Sequence, residues 1–154
     1  MIVVRCFADP EALADFLLPI CVDEVANSHP QRPFTRELLV AALAAWDVVE
    51  FFDTEKGATI GAAAREPGRH VHIYVDSARR IFWAPHASLE AALDIFLSDS
   101  ECLHAAIPLA NRQTIRMVRK LGFIQTRTEN GMAFLVLSPL SRNKRSLHGK
   151  SGRL

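Results

Sequence analysis

The sequence predicts one α+β domain with a mixed, mostly antiparallel central sheet flanked by about four helices. Three observations carry that expectation. Segments of strand and helix period alternate in the order β-α-α-β-β-β-α-β-α-β-β. Turn signals at Lys56-Gly57, Pro67-Gly68 and Asn130-Gly131 separate neighbouring strand segments. The 154 residues, 49% hydrophobic and 23% charged, suffice for one real core.

Ile2 to Phe7 is an apolar run broken by Arg5 and reads as the first strand. Asp9-Pro10-Glu11 marks a helix start, with Asp as N-cap, Pro at the first helical position and an acid in the first turn. Ala12, Leu13, Phe16, Leu17 and Ile20 supply the apolar period, and Pro19 is expected to bend or end this helix. A polar loop from Asn27 to Pro33 follows. Thr35-Arg36-Glu37 then caps a second helix with Leu38, Leu39, Ala42, Leu43 and Trp46 on its apolar face.

Asp47 to Asp53 and Ala58 to Ala64 are the next two strands. His70 to Asp76 carries the strongest strand pattern: Val71, Ile73 and Val75 on one side, His70, His72 and Tyr74 on the other. A loop from Ser77 to Pro85 leads to a third helix ending at Leu97, with Leu89, Ala92, Leu93 and Phe96 at core spacing. Cys102 to Ile107 is a strand, Asn111 opens a short helix, and Phe123 to Arg127 follows as a strand. Met132 to Leu137 closes the hairpin that Asn130-Gly131 turns. The domain is thus expected over residues 1–138. Residues 139–154 read as a basic, disordered tail, rich in Lys and Arg and without an acid. Such a tail is either a solvated terminus or an electrostatic arm that reaches nucleic acid or a protein partner.

Formal net charge is +1, which does not by itself indicate a general polyanion-binding face. No run approaches the roughly 18 apolar residues of a membrane helix, so no membrane association is expected. Cys6, Cys21 and Cys102 are scattered and include no CxxC pair. That pattern favours buried thiols in a reduced, cytoplasmic setting over a disulfide framework.

The stretch Asn111-Arg112-Gln113-Thr114-Ile115-Arg116-Met117-Val118-Arg119-Lys120-Leu121-Gly122-Phe123 is the most specific in the chain. Asn is a preferred N-cap, Lys near the end suits the helix dipole, and Gly fits the left-handed position past the last turn. Ile115, Val118 and Leu121 give a buried stripe. The register of Asn111 with Gly122-Phe123 resembles the last motif of the GCN5-related N-acetyltransferase (GNAT) superfamily. The order of elements over residues 1–138 is similar to that fold. The resemblance extends to small phage-encoded proteins similar to the superfamily. Two positions depart from the motif. Thr114 replaces a small residue, and Val118 stands where many members carry the Tyr that protonates the leaving thiolate.

The resemblance implies acetyl-CoA as co-substrate, in the splay between the fourth and fifth strands. It assigns cofactor binding to the backbone of Val75, to Arg79, Arg80 and Ala84 in the following loop, and to Asn111. In the family that loop carries a central glycine, which lets backbone N–H groups approach a pyrophosphate. Here the position is Phe82. Either the Arg79 and Arg80 side chains replace the glycine nest, or Phe82 and Trp83 plug a decayed site.

The family commonly places a general base on the fourth strand. An amine attacks a thioester only when neutral, so a base that titrates near neutrality suits the chemistry. His72 is the first candidate, with Tyr74 beside it. A metal set drawn from His70, His72, His104 or His86 has no tight ligand spacing behind it, and none is assigned. Asp23, Glu24 and Glu50 are candidate linings for a cationic-substrate pocket.

The implied activity is direct acetyl transfer to a primary amine, on a small molecule or a protein. The alternative is a GNAT-fold protein that has lost catalysis and serves as a binding or phage virion-assembly factor.

Overall fold

The fold is described from a computed structural model, which describes residues 1–6, 9–28, 34–68, 70–75 and 86–148. The chain divides into two compact units. One comprises Met1–Gly68 with His72–Ala92, the other Arg69–Val71 with Leu93–Leu154.

The first unit begins with β1 (Ile2–Cys6), α1 (Pro10–Ser28) and α2 (Arg36–Ala45). β2 (Asp47–Asp53), β3 (Ala58–Arg65) and β4 (Val71–Val75) then complete a four-stranded sheet in the order β1-β2-β3-β4. Asp9 caps α1, its Oδ1 accepting from the N–H groups of Glu11 and Ala12 at 3.1 and 3.2 Å. The helix runs through Pro19 without ending there. Burial explains this, because the stripe Leu13, Ala14, Leu17 and Cys21 continues past the proline. Thr35 caps α2 as expected, accepting from the Leu38 N–H at 3.3 Å. The buried stripe of α2 is Leu39 and Leu43, whereas Leu38 is exposed. These stripes meet Ala62, Ala64 and Tyr74 in one core. The two alanines have little side chain to hold a packed helix away.

The β2–β3 ladder contains a bulge. Phe51 opposes Gly61, but Phe52 opposes Thr59, so Ile60 is the extra residue. Pairing places Arg5 and Ala62 opposite Glu50. A strict alternation would send Thr59 to the opposite face from Ala62. The extra residue re-aims Thr59 toward Glu50, and its Oγ1 donates to Glu50 Oε2 at 2.7 Å. Glu50 also pairs with Arg5 and is 2% exposed.

The second unit holds a three-stranded antiparallel sheet of β5 (Leu103–Pro108), β6 (Ile124–Glu129) and β7 (Met132–Leu137), with β7 in the middle. Asn130 and Gly131 have φ of 49° and 75°, the pair of positive values that a tight hairpin turn needs. The helix α4 (Arg112–Lys120) ends in a two-bond left-handed turn. The Phe123 N–H donates to the Val118 carbonyl and the Gly122 N–H to the Arg119 carbonyl, both at 3.1 Å. Gly122 sits at φ 101°.

The helix α3 (His86–Leu97) buries Leu89, Ala92, Leu93 and Phe96, the expected stripe. A fifth helix, α5 (Pro139–His148), replaces the disordered chain expected over residues 139–148. Its start is capped: the Ser141 N–H donates to Ser138 Oγ at 3.2 Å, and Pro139 takes the first helical position. Arg142 then binds Asp94 at 2.9 Å. The remainder of the tail, residues 149–154, lies outside the described residues.

Candidate functional site

β4 presents His72 and Tyr74 on one face, because side chains two apart on a strand share a side. Their rings stack, with centroids 6.1 Å apart and 8° between planes. Trp46 also stacks on His72, at 5.1 Å and 13°. The imidazole is thus the ring that stacks with both of the others. Trp46 reaches this position because it is the C-cap of α2, where the backbone leaves the helix in an extended conformation. Its N–H still donates to the Ala42 carbonyl at 3.0 Å. Asp47, the next residue, pairs with Arg65 across the β2–β3 ladder (Nε to Oδ2 2.9 Å). That pair fixes the strand ends beside Trp46 and Glu66.

Glu66 Oε1 lies 3.5 Å from His72 Nε2, within ion-pair reach when the imidazole is protonated. The Nε2 atom is closed to solvent, while 38% of the His72 side chain is exposed. The carboxylate thus faces one nitrogen, and the exposed surface belongs to the rest of the ring. Tyr74 is buried, at 9%. A carboxylate beside one ring nitrogen orients an imidazole and stabilises its protonated form.

His70 and His72, two apart in the sequence, have different neighbours. His70 forms a parallel bridge with His104, and their rings lie tilted at 5.8 Å. His104 Nε2 is 3.4 Å from Cys102 Sγ. The described residues contain no group of three or more His, Cys, Asp or Glu able to hold a metal ion.

Asn111 is the N-cap of α4, its Oδ1 accepting from the Thr114 N–H at 3.2 Å. Val118 is 3% exposed and packs in the core with Ile115 and Leu121. Val75 is the last residue of β4. Arg79, Arg80, Phe82 and Ala84 lie outside the described residues. The side chains of Asp23, Glu24 and His86 do too. Glu50 is engaged at both carboxylate oxygens, with Arg5 and Thr59, and holds strands together as a structural group.

The sequence reading missed Trp46 and Glu66. Trp46 fell on the helical stripe of α2 and read as core. Glu66 carried no local signal, since only the β3–β4 pairing brings it to His72.

No helix among the described residues is long and apolar enough to cross a membrane. No protein-family model matches the chain, and no curated protein does. Solved structures do match. A ribosomal-protein-alanine N-acetyltransferase from Brucella melitensis superposes with a TM-score of 0.71 at 20% identity, over 88% of this chain and 99% of that one. The spermidine N-acetyltransferase SpeG from Vibrio cholerae, as an F149G mutant, gives 0.71 at 12%, over 94% and 98%. The yncA protein of Salmonella typhimurium, solved with its cofactor acetyl-CoA, gives 0.67 at 18%, over 90% and 94%. At these identities the likeness is one of fold, and the fold is that of the GNAT acetyltransferases.

Proposed function

We propose that this chain is an acyl-CoA-dependent N-acyltransferase that moves an acetyl group from acetyl-CoA to a primary amine by direct attack. The observation that carries the reading is His72: an imidazole on β4, stacked with Trp46 and with Tyr74, with Glu66 3.5 Å from Nε2. Neighbours in fold include a spermidine N-acetyltransferase and a protein solved with acetyl-CoA.

In this reading His72 removes a proton from the acceptor ammonium, directly or through water. Glu66 stabilises the imidazolium that results, and the two stacked rings hold the imidazole in plane. The neutral amine attacks the thioester carbonyl and forms the C–N bond; the C–S bond breaks, and the proton shed by the new amide nitrogen goes to the departing thiolate or to water. A thiol titrates near about 8.5, so its thiolate is a tolerable leaving group without an acid. The buried Val118 therefore lowers the rate without removing the route. Cofactor contacts are assigned to the Val75 backbone, Arg79, Arg80, Ala84 and Asn111. The Asn111 Oδ1 is already spent on the α4 cap, which leaves its amide N–H groups for that purpose.

One observation favours the second reading, a GNAT-fold binding or assembly factor without catalysis. Val118 supplies no proton donor where the family often has one. Calorimetry or thermal shift with acetyl-CoA separates the two. Ligand at about 100 times its Kd stabilises a fold by roughly 2.7 kcal/mol. No stabilisation at millimolar acetyl-CoA would remove the enzyme reading and leave the second.

A further inference from the structure

The near-neutral balance of the chain hides a division. Residues 1–92 carry eight Lys and Arg against thirteen Asp and Glu, whereas residues 93–154 carry ten against four. Four of those ten cations fall on α4, and three more, Arg142, Lys144 and Arg145, on α5. Ile115 and Val118 form the buried stripe of α4, and Arg112, Arg116, Arg119 and Lys120 are all exposed. Their spacing of four, three and one places them on one face of a 3.6-residue helix, over about 12 Å of axis. The helix has no acidic residue. Among the described residues, none of the four cations has a carboxylate at ion-pair distance.

Helix stability alone does not account for this arrangement. Arg119 and Lys120 suit the negative end of the helix dipole, and Arg119 Nη2 also donates to Gln125 Oε1 at 2.5 Å. Arg112 sits at the opposite end, where the dipole disfavours a cation. Arg112 with Arg116, and Arg116 with Lys120, are like charges four apart, which repel. An anionic partner converts each of these costs into attraction.

We infer that the exposed face of α4 is a docking surface for the phosphate backbone of a nucleic acid, bound through Arg112, Arg116, Arg119 and Lys120 without regard to base sequence. Phosphates supply the dense, regular negative charge that an unbroken cationic row fits. Such contacts act by releasing condensed counterions, so they carry a fixed salt signature. Four contacts on a duplex give a slope of log affinity against log salt of about −3.6, and three give about −2.7.

The test is fluorescence anisotropy of the full chain with a labelled DNA duplex, titrated at several salt concentrations. Affinity is expected to fall roughly 40- to 150-fold between about 50 and 200 mM salt. The pair Arg112→Gln and Arg116→Gln should reduce the slope by about 1.8 and weaken binding equally for unrelated sequences. These side chains are exposed and their mutual repulsion is relieved, so thermal unfolding of the variant should be at or slightly above that of the parent. Four outcomes overturn the inference: no binding at low salt, a slope unchanged in the double variant, binding lost only when residues 149–154 are removed, or displacement of the duplex by equimolar CoA. Equal affinity for polyglutamate with the same slope would also overturn it, by pointing to an acidic protein instead.

Discussion

The imidazole of His72 and the indole of Trp46 lie nearly parallel, with centroids 5.1 Å apart and 13° between their planes. The tryptophan is therefore an internal reporter of its neighbour's charge, because a protonated imidazole quenches an indole in ring contact. The chain has two tryptophans. In a Trp83→Phe background, emission should fall as pH drops through the range where an imidazole gains its proton. The step should vanish in His72→Gln. A step that survives that substitution would mean the indole does not report His72.

If His72 is the base, His72→Gln should lower kcat/KM by about 10²- to 10⁴-fold. The Kd for acetyl-CoA should stay unchanged. Calorimetry and steady-state kinetics on the same preparation check both halves. Unchanged turnover would remove His72 from the mechanism while leaving acetyl transfer standing.

The bulge at Ile60 gives the buried carboxylate of Glu50 its second partner, Thr59. Thr59→Val keeps the side-chain shape and deletes the hydroxyl. It should destabilise by about 1.5–3 kcal/mol, the usual range for a hydrogen bond to a charged group. Thr59→Ser should recover most of the loss. Urea unfolding measures the series, and a Val variant as stable as the parent would show that the hydroxyl contributes nothing.

Gly122→Ala should cost about 1–3 kcal/mol, since φ 101° strains any side chain. A Cβ there would also meet Leu137 Cδ1 at 3.2 Å. Gly131→Ala is the comparison, because its Cβ would enter open space. The Gly122 variant should unfold at lower urea than the Gly131 variant, and the reverse order would refute the packing argument.

The Arg36 side chain donates to Asp15 and holds its carboxyl below the ordinary carboxylate range. A depressed folded value means the contribution is present above the unfolded pKa, and is lost as pH falls through the folded one. Both groups are exposed, so the effect is small. Thermal unfolding of Asp15→Asn should therefore fall less steeply with acid below about pH 4 than that of the parent. Parallel acid profiles would show that this pair does not couple to folding.

Much of the fold was legible because its signals are local. Asp9, Thr35 and Asn111 cap helices, Asn130-Gly131 turns a hairpin, and Gly122 ends α4, each through its own backbone chemistry. Pro19 misled because burial of Leu17 and Cys21 outweighs one missing N–H donor. The basic composition of residues 139–154 concealed a Ser-Pro helix start. Of the site, His72 and Tyr74 were visible as alternation on one strand. Trp46 and Glu66 were not, because helix end and strand end meet His72 only after the sheet assembles. The bulge was invisible for the same reason: nothing in Thr59-Ile60-Gly61 says which residue the partner strand will skip.

The order of the second sheet sets a timetable for the chain that makes it. β5 and β6 are not neighbours; β7 lies between them and is the last of these three to leave the ribosome. Until residues 132–137 have emerged, each earlier strand keeps an open edge where its partner belongs. A stop codon before Met132 would remove the keystone of that sheet, whereas one after Leu137 would leave its three strands complete.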